Sequence, residues 1–221
     1  MNDKYVIIDG LIGSGKTTIG PSLVQYFNKL GVDAVFIHEP VEEWKSSGKL
    51  KEFYDDIPGK AFEFHMYTLK TIFDNTVRVM NKNKHNTVFV CERSIFSVKY
   101  IFFENLKELG FITPRQEYEF NEKFKEYSLF LPTPSLFIWL DTPISTCMER
   151  IKKRNRENEE SKITEEYQVS LWKKHEAFFE LIKKEYDVIV SPQISLDYRT
   201  HQGSKSHEDN FLEYIYYTLN K

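Results

Sequence analysis

Cysteine is scarce: the 221 residues hold two, Cys91 and Cys147, both in apolar surroundings. That excludes a disulfide-stapled scaffold, and reduced thiols in such patterns behave as small hydrophobes. A charge excess is missing as well, because 30 Lys and Arg stand against 33 Asp and Glu, giving a net charge of −3 and a pI near 6.1. A protein that coats nucleic acid would carry a strong basic surplus, so no nucleic-acid partner is expected. No apolar run approaches the roughly 20 residues that a bilayer requires, so no membrane span is expected either. Met1-Asn2-Asp3-Lys4 leads directly into a strand-like run, unlike a secretory leader, and the expected location is cytoplasmic. There is no internal repeat and no linker rich in Pro, Gly or Ser. With 41% hydrophobic and 29% charged residues, the chain reads as one globular domain spanning residues 1–221.

What is present is an alternation of two patterns. Tyr5–Asp9, Ala34–Ile37, Thr87–Cys91, Leu136–Leu140 and Val188–Val190 are nearly continuous β-rich apolar runs. Such runs suit parallel strands covered on both faces. Between them, Phe62, Met66, Leu69, Phe73, Val77 and Met80 recur at helical spacing. Thr113-Pro114-Arg115-Gln116 has the form of a capping box with Pro at the first helical position, and its stripe continues through Phe120, Phe124 and Tyr127. Thr142-Pro143 opens a further helix, and Thr164 caps one that carries Leu171, His175, Phe178 and Ile182. Five strands with intervening helices predict an α/β fold, a five-stranded parallel sheet with helices on both faces. The unpatterned stretch from Ser191 to His207 reads as a long surface loop before a last helix.

The strongest chemical signal is Gly10-Leu11-Ile12-Gly13-Ser14-Gly15-Lys16-Thr17, followed by Thr18. It fits G-x-x-x-x-G-K-[ST] and lies between a strand and a helix, as a phosphate-binding P-loop must. Gly10, Gly13 and Gly15 let backbone N–H groups turn around phosphate oxygens, with Ser14 among them, and the helix N-terminus adds a favourable dipole. Lys16 is placed to reach the β and γ phosphates of ATP, and the Thr17 hydroxyl to ligate Mg²⁺.

A P-loop does not name a reaction. The guanine-reading N/T-K-x-D motif is missing, and so is D-x-x-G after the third strand. The second and third strands lead instead into Glu39-Pro40-Val41-Glu42-Glu43-Trp44 and Glu92-Arg93-Ser94. In an open parallel sheet, ligands gather at the carboxyl ends of the strands, so both clusters should face the P-loop. A carboxylate there accepts the proton of an attacking hydroxyl, and an adjacent Arg holds it ionised and oriented. Glu39 is the expected base, Arg93 its partner, and Glu92 a residue near the metal.

At these positions the sequence resembles the deoxyribonucleoside kinases of the animal type, from the P-loop to about Trp172. The motifs that carry the resemblance are Glu-Pro-Val-x-x-Trp at Glu39–Trp44, Glu-Arg-Ser-Ile-Phe-Ser-x-x-Tyr at Glu92–Tyr100, Phe102-x-Glu104-Asn105, and Arg150-x-x-x-Arg154-x-Arg156 followed by Glu159-Glu160. The resemblance implies a P-loop kinase with an Arg-rich lid at about 150–163, in which Glu39 deprotonates the nucleoside 5′-hydroxyl and Arg93 binds Glu39 and the reacting oxygen. It implies that Tyr54 and Glu160, or Glu159 in its place, hold the sugar 3′-hydroxyl. Trp44 and Phe102 then flank the base, with Phe64 as a wall, and Arg150, Arg154 and Arg156 clamp the transferred phosphoryl group. A homodimer and feedback inhibition by a deoxynucleoside triphosphate are implied in the same way.

One position departs from the family pattern. Where the family has Phe-Gln-x-Tyr, with the Gln reading the base, this chain has Phe64-His65-Met66-Tyr67. A neutral imidazole has one donor and one acceptor pointing apart, so it cannot bind a base edge bidentately as an amide does. With an ordinary histidine pKa of about 6.5, its titration would reshape base recognition between pH 5.5 and 8. A shifted frame would make His65 a packing residue and let Glu63 or another group read the base. Ile72 and Val98 are apolar where deoxycytidine-preferring members carry an Arg and Asp pair. The expected reaction is ATP-dependent phosphorylation of a deoxyribonucleoside, thymidine or several pyrimidines. A thymidylate kinase-like monophosphate kinase is the alternative enzyme, and a nucleotide-binding module without turnover the alternative outside that class.

Overall fold

The computed structural model describes residues 3–154, 162–191 and 207–221. The chain runs β1 (Lys4–Gly10), α1 (Lys16–Lys29), β2 (Ala34–Ile37), α2 (Val41–Ser46), α3 (Lys49–Asp55), α4 (Ile57–Met80) and β3 (Val88–Glu92). It continues through α5 (Ile95–Ser97), a π-helical segment (Val98–Phe103), α6 (Glu104–Glu108), α7 (Pro114–Ser128), β4 (Leu136–Leu140) and α8 (Ile144–Arg154). The last elements are α9 (Glu165–Ile182), β5 (Val188–Val190) and α10 (His207–Leu219).

All five strands are parallel, in the order β2-β3-β1-β4-β5. The chain winds to one side of β1 for β2 and β3, then to the other side for β4 and β5. The crevice at the carboxyl end of β1 is therefore the topological switch point of the sheet, where ligands bind in open α/β folds. The register pairs Ile8 with Glu92 and Gly10 with Leu140, which brings the residues after β1, β3 and β4 to the same edge.

Alternation along β1 divides the core. Val6 and Ile8 face α1 and α10, meeting Ile19, Leu23, Phe27, Leu212 and Ile215. Tyr5 and Ile7 face the opposite layer, with Phe137, Trp139, Leu171 and Phe178. This period of two, apolar on both faces, is why the strands read as continuous hydrophobic runs. Gly20 in α1 has a packing reason: a Cβ there would lie 2.0 Å from the Phe36 ring of β2. A third cluster stands beside the sheet, where Phe53, Phe64, Leu69, Ile95, Phe103 and Phe120 join α3, α4 and α7.

The expected caps form. Thr113 accepts from the Gln116 N–H while Gln116 accepts from the Thr113 N–H, and Thr164 accepts from the Tyr167 N–H. The third strand ends one residue later than expected, at Glu92. The helical stretch from Ile95 to Glu108 carried no clear signal, because six of its residues adopt the wider π turn and break the 3.6-residue repeat. Of the loop expected from Ser191 to His207, residues 192–206 lie outside the described residues.

Candidate active site

The loop from Gly10 to Thr17 connects β1 to α1, and its carbonyl groups are occupied one by one. Lys16 Nζ donates to Gly10 O at 3.1 Å and to Leu11 O at 2.9 Å. Gln168 Nε2, from α9, donates to Ile12 O at 2.6 Å. Arg150 Nη1, from α8, donates to Gly13 O at 3.3 Å and Ser14 O at 3.0 Å, and Thr142 Oγ1 also donates to Ser14 O at 3.0 Å. With its carbonyls held from behind, the loop presents its amide side and the α1 N-terminus to an anion. Gly13 is required for this path, since its φ is 87° and a Cβ would lie 2.6 Å from Cys147 O. Burial, helped by the nearby Arg93 cation, lowers Lys16 to about 8, against the raising influence of Glu92, Glu39 and Asp9.

Arg150 thus braces the P-loop and also lines the cavity, as Arg154 does. The other expected lid and sugar residues, Arg156, Glu159 and Glu160, lie outside the described residues. Gln168 was not expected as part of the site. In sequence it is only a polar residue on a helix, and nothing local marks it.

Thr17 Oγ1 donates to Glu92 Oε1 at 2.6 Å, which joins the P-loop to the end of β3. One hydroxyl and one carboxylate, both hard oxygen donors, suit Mg²⁺, which takes one or two carboxylates together with substrate phosphates and water. Among the described residues, no group of three or more His, Cys, Asp or Glu forms a metal cage. The donor set fits a metal held jointly with a nucleotide.

Glu39 follows β2, and Arg93 follows β3 with a φ of 63°, a left-handed conformation that few non-glycine residues adopt. Arg93 Nε lies 3.1 Å from Glu39 Oε1, and Arg93 Nη1 donates to Asp9 Oδ1 at 3.1 Å. The Arg93–Glu39 contact is an ion pair without hydrogen-bond alignment, so the buried Nε–H lacks a hydrogen-bond partner among the described residues. The Arg93 guanidinium also sits 4.5 Å from the centre of the Phe102 ring. Burial pushes the Glu39 carboxyl up from its ordinary value, Arg93 pulls it down in part, and Glu92 raises it further.

Asp9, at 0% exposure, anchors this group from β1. It accepts from the Gly10 N–H at 2.8 Å, from Arg93, from Ser97 Oγ and from His175 Nε2, the last at 3.1 Å. Burial works to raise the Asp9 carboxyl, but the bond to His175 and the charges of His175 and Arg93 outweigh it, and it lies well below the usual carboxylate range. In the sequence, Asp9 is the polar end of an apolar strand and His175 one member of a helical stripe. Only the fold joins them.

A cavity of about 1070 Å³ runs from the P-loop into the third cluster, with Glu39, Glu92 and Arg93 along its wall. Its inner end is aromatic: Phe53 stacks on Phe64 at 4.6 Å, Trp44 meets Phe64 edge-on, and Tyr54 and Phe102 complete the lining. Ile72 and Val98 also line it. His65 faces the cavity, whereas Glu63 lies outside it in ion pairs with Lys49 and Lys60. His65 Nδ1 lies 2.9 Å from Ala61 O, and since a carbonyl only accepts, Nδ1 carries the proton. Burial lowers His65 to about 4, only partly opposed by the bond to Ala61. The expected titration between pH 5.5 and 8 is thereby overturned: His65 stays neutral across that range, with Nε2 as its acceptor.

A P-loop, the Glu39–Arg93 ion pair and an aromatic chamber share one cavity, and comparison with known proteins says which family carries such a chain. The sequence model of the deoxynucleoside kinase family matches residues 6–219. A fowlpox virus protein named "Probable deoxycytidine kinase" is 32% identical over 174 residues, covering 78% of this chain and 70% of that one. Human mitochondrial thymidine kinase 2 is 30% identical over 203 residues, covering 90% of this chain and 72% of that one. A solved deoxyadenosine kinase from M. mycoides, with dCMP and dCDP bound, superposes with a TM-score of 0.73 at 24% identity over 98% of each chain, which supports the fold. The chain belongs to the deoxynucleoside kinase family.

Proposed function

We propose that this kinase transfers the γ-phosphoryl group of ATP to the 5′-hydroxyl of a deoxyribonucleoside, thymidine or several pyrimidine deoxyribonucleosides. The observation that carries the reading is that one cavity holds Lys16 and Thr17 at one end and the aromatic chamber at the other, with Glu39 and Arg93 between them. A nucleoside lying in the chamber directs its 5′-hydroxyl toward the P-loop. Glu39 takes the hydroxyl proton, and the free Arg93 Nε–H supports the reacting oxygen. Lys16 and the loop amides meet the growing charge on the phosphates, with Arg154 and Arg156 as the clamp on the transferred group. Thr17 and Glu92 would hold Mg²⁺, which when bound neutralises charge on the phosphate oxygens. Tyr54, with Glu160 or Glu159, holds the sugar.

The base preference rests on three side chains. His65 Nε2 is an acceptor, which suits the ring N–H of thymine and also the amino group of cytosine. Ile72 and Val98 leave an apolar slot that suits a 5-methyl group. A methyl-sized contact is worth about 1–3 kcal/mol, so several pyrimidines fall within reach. The same reading takes residues 1–221 as one kinase domain with a lid at about 150–163. It includes a homodimer formed through helices and feedback inhibition by a deoxynucleoside triphosphate.

The test is ATP consumption with thymidine, deoxycytidine, deoxyadenosine, deoxyguanosine and dTMP as separate acceptors. Formation of a nucleoside 5′-monophosphate from thymidine or deoxycytidine is the expected result. Turnover with dTMP alone would replace the reading by a monophosphate kinase. ATP binding without turnover on any acceptor would leave a regulatory module.

A further inference from the structure

His175 lies on α9, at 0% exposure, and is not among the residues that line the cavity. Its ring stacks on Trp139 with centroids 6.2 Å apart and planes 14° apart, which fixes its orientation. Nδ1 lies 2.8 Å from Leu171 O and Nε2 lies 3.1 Å from Asp9 Oδ1. Both neighbours are acceptors: a carbonyl has no proton to give, and the low-lying Asp9 carboxyl is ionised. The ring is thus held at both nitrogens, by one contact within α9 and one across to β1.

Asp9 is fully buried and shared, since it also accepts from Arg93, which in turn pairs with Glu39. The titratable and charged groups facing His175 are Asp9 from β1 and, through Asp9, Arg93 beyond β3. Lys16, Glu39 and Glu92 lie further along the same cluster. Ser97 of α5 supplies a neutral donor to the second Asp9 oxygen.

We propose that His175 is a positioning residue: it holds Asp9, Asp9 holds the Arg93 guanidinium, and Arg93 sets the angle of Glu39. The chain of contacts runs His175 Nε2–Asp9 Oδ1–Arg93 Nη1, then Arg93 Nε–Glu39 Oε1, each link 3.1 Å. It gives a use to the left-handed backbone at Arg93, which needs its side chain held on both sides to persist. The inference rests on Glu39 acting as the general base.

The test is a double-mutant cycle. His175→Asn keeps an amide near the Leu171 carbonyl but does not reach Asp9, whereas His175→Gln extends an amide N–H toward Asp9. His175→Asn should lower kcat on the order of 10²-fold, the scale of a misplaced catalytic group. Nucleoside and ATP KM should stay within about twofold, and His175→Gln should recover much of the lost kcat, because most of the effect is alignment rather than binding. In a Glu39→Gln background, His175→Asn should cost little more, because both changes act through one group. Urea unfolding of each variant checks that it folds. Full multiplication of the two kcat losses, or a loss in His175→Asn that His175→Gln does not recover, overturns the proposal. If Glu39→Gln alone retains activity within a few-fold of the parent, it is the assignment of the base that fails.

Discussion

Arg93 Nε lies 3.1 Å from Glu39 Oε1, although the two residues follow different strands and are 54 positions apart (93 − 39) in the chain. The contact unites the residues after β2 and β3 at one point on the sheet edge, with Glu39 only 17% exposed. An ionised carboxylate in that position is held by its partner and poorly solvated, a state suited to accepting a proton.

Glu39→Gln keeps the size of the side chain and removes the proton acceptor, so turnover should fall by roughly 10²-fold or more while nucleoside still binds. Stability should move the other way. Because the folded pKa of Glu39 is raised, its contribution to stability is present at low pH and lost as pH rises through the folded value. At pH 7 the variant should therefore unfold at a urea concentration no lower than the parent does. Turnover within a few-fold of the parent would remove Glu39 from the mechanism.

Asp9 has the opposite sign. Its folded pKa is depressed, so the stability it contributes is present above the ordinary Asp value of about 3.9 and is lost as pH falls toward the folded value. Asp9→Asn removes the fully buried one of the two carboxylates beside Arg93 and should cost about 3–5 kcal/mol at pH 7. Urea titrations at a series of pH values should show the gap between parent and variant narrowing below about pH 3.9. A gap independent of pH would mean that Asp9 acts through packing alone.

His65, lowered to about 4 by burial, remains neutral between pH 5.5 and 8. The ratio of KM values for thymidine and deoxycytidine should then stay flat across that range. His65→Gln adds a donor beside the acceptor and should tighten thymidine by about 1 kcal/mol, roughly fivefold, the scale of one net hydrogen bond. Steady-state kinetics at the two pH values, in parent and variant, measure both effects. A ratio that swings with an apparent pKa near 6.5 would return the residue to ordinary solvent-exposed behaviour.

Gln168→Leu removes the donor to Ile12 O at nearly constant volume. The other amide atom, Oε1, is buried without a hydrogen-bond partner among the described residues, so the contact through Nε2 is the one that matters. ATP affinity should drop about fivefold, the equivalent of about 1 kcal/mol, with nucleoside KM unchanged. Equal loss for both substrates would show a general loosening of α9 instead.

The sequence by itself determined the sheet and the P-loop, and it named Glu39, Glu92 and Arg93 among the groups that line the cavity. Apolar runs covered on both faces, the fixed spacing of Gly10 to Thr17, and the caps at Thr113 and Thr164 are local properties, set by a few neighbouring residues. Glu39, Glu92 and Arg93 were legible for a related reason, because parallel strands deliver the residues that follow them to one edge. Tertiary structure alone decided the rest. Asp9 and His175 are 166 residues apart, and Gln168 and Ile12 are 156 apart; no periodicity links them. Protonation was decided there too. The titration of His65 and the raised carboxyl of Glu39 follow from how much water the packed aromatic chamber excludes, and a sequence records the titrating group but not its solvent.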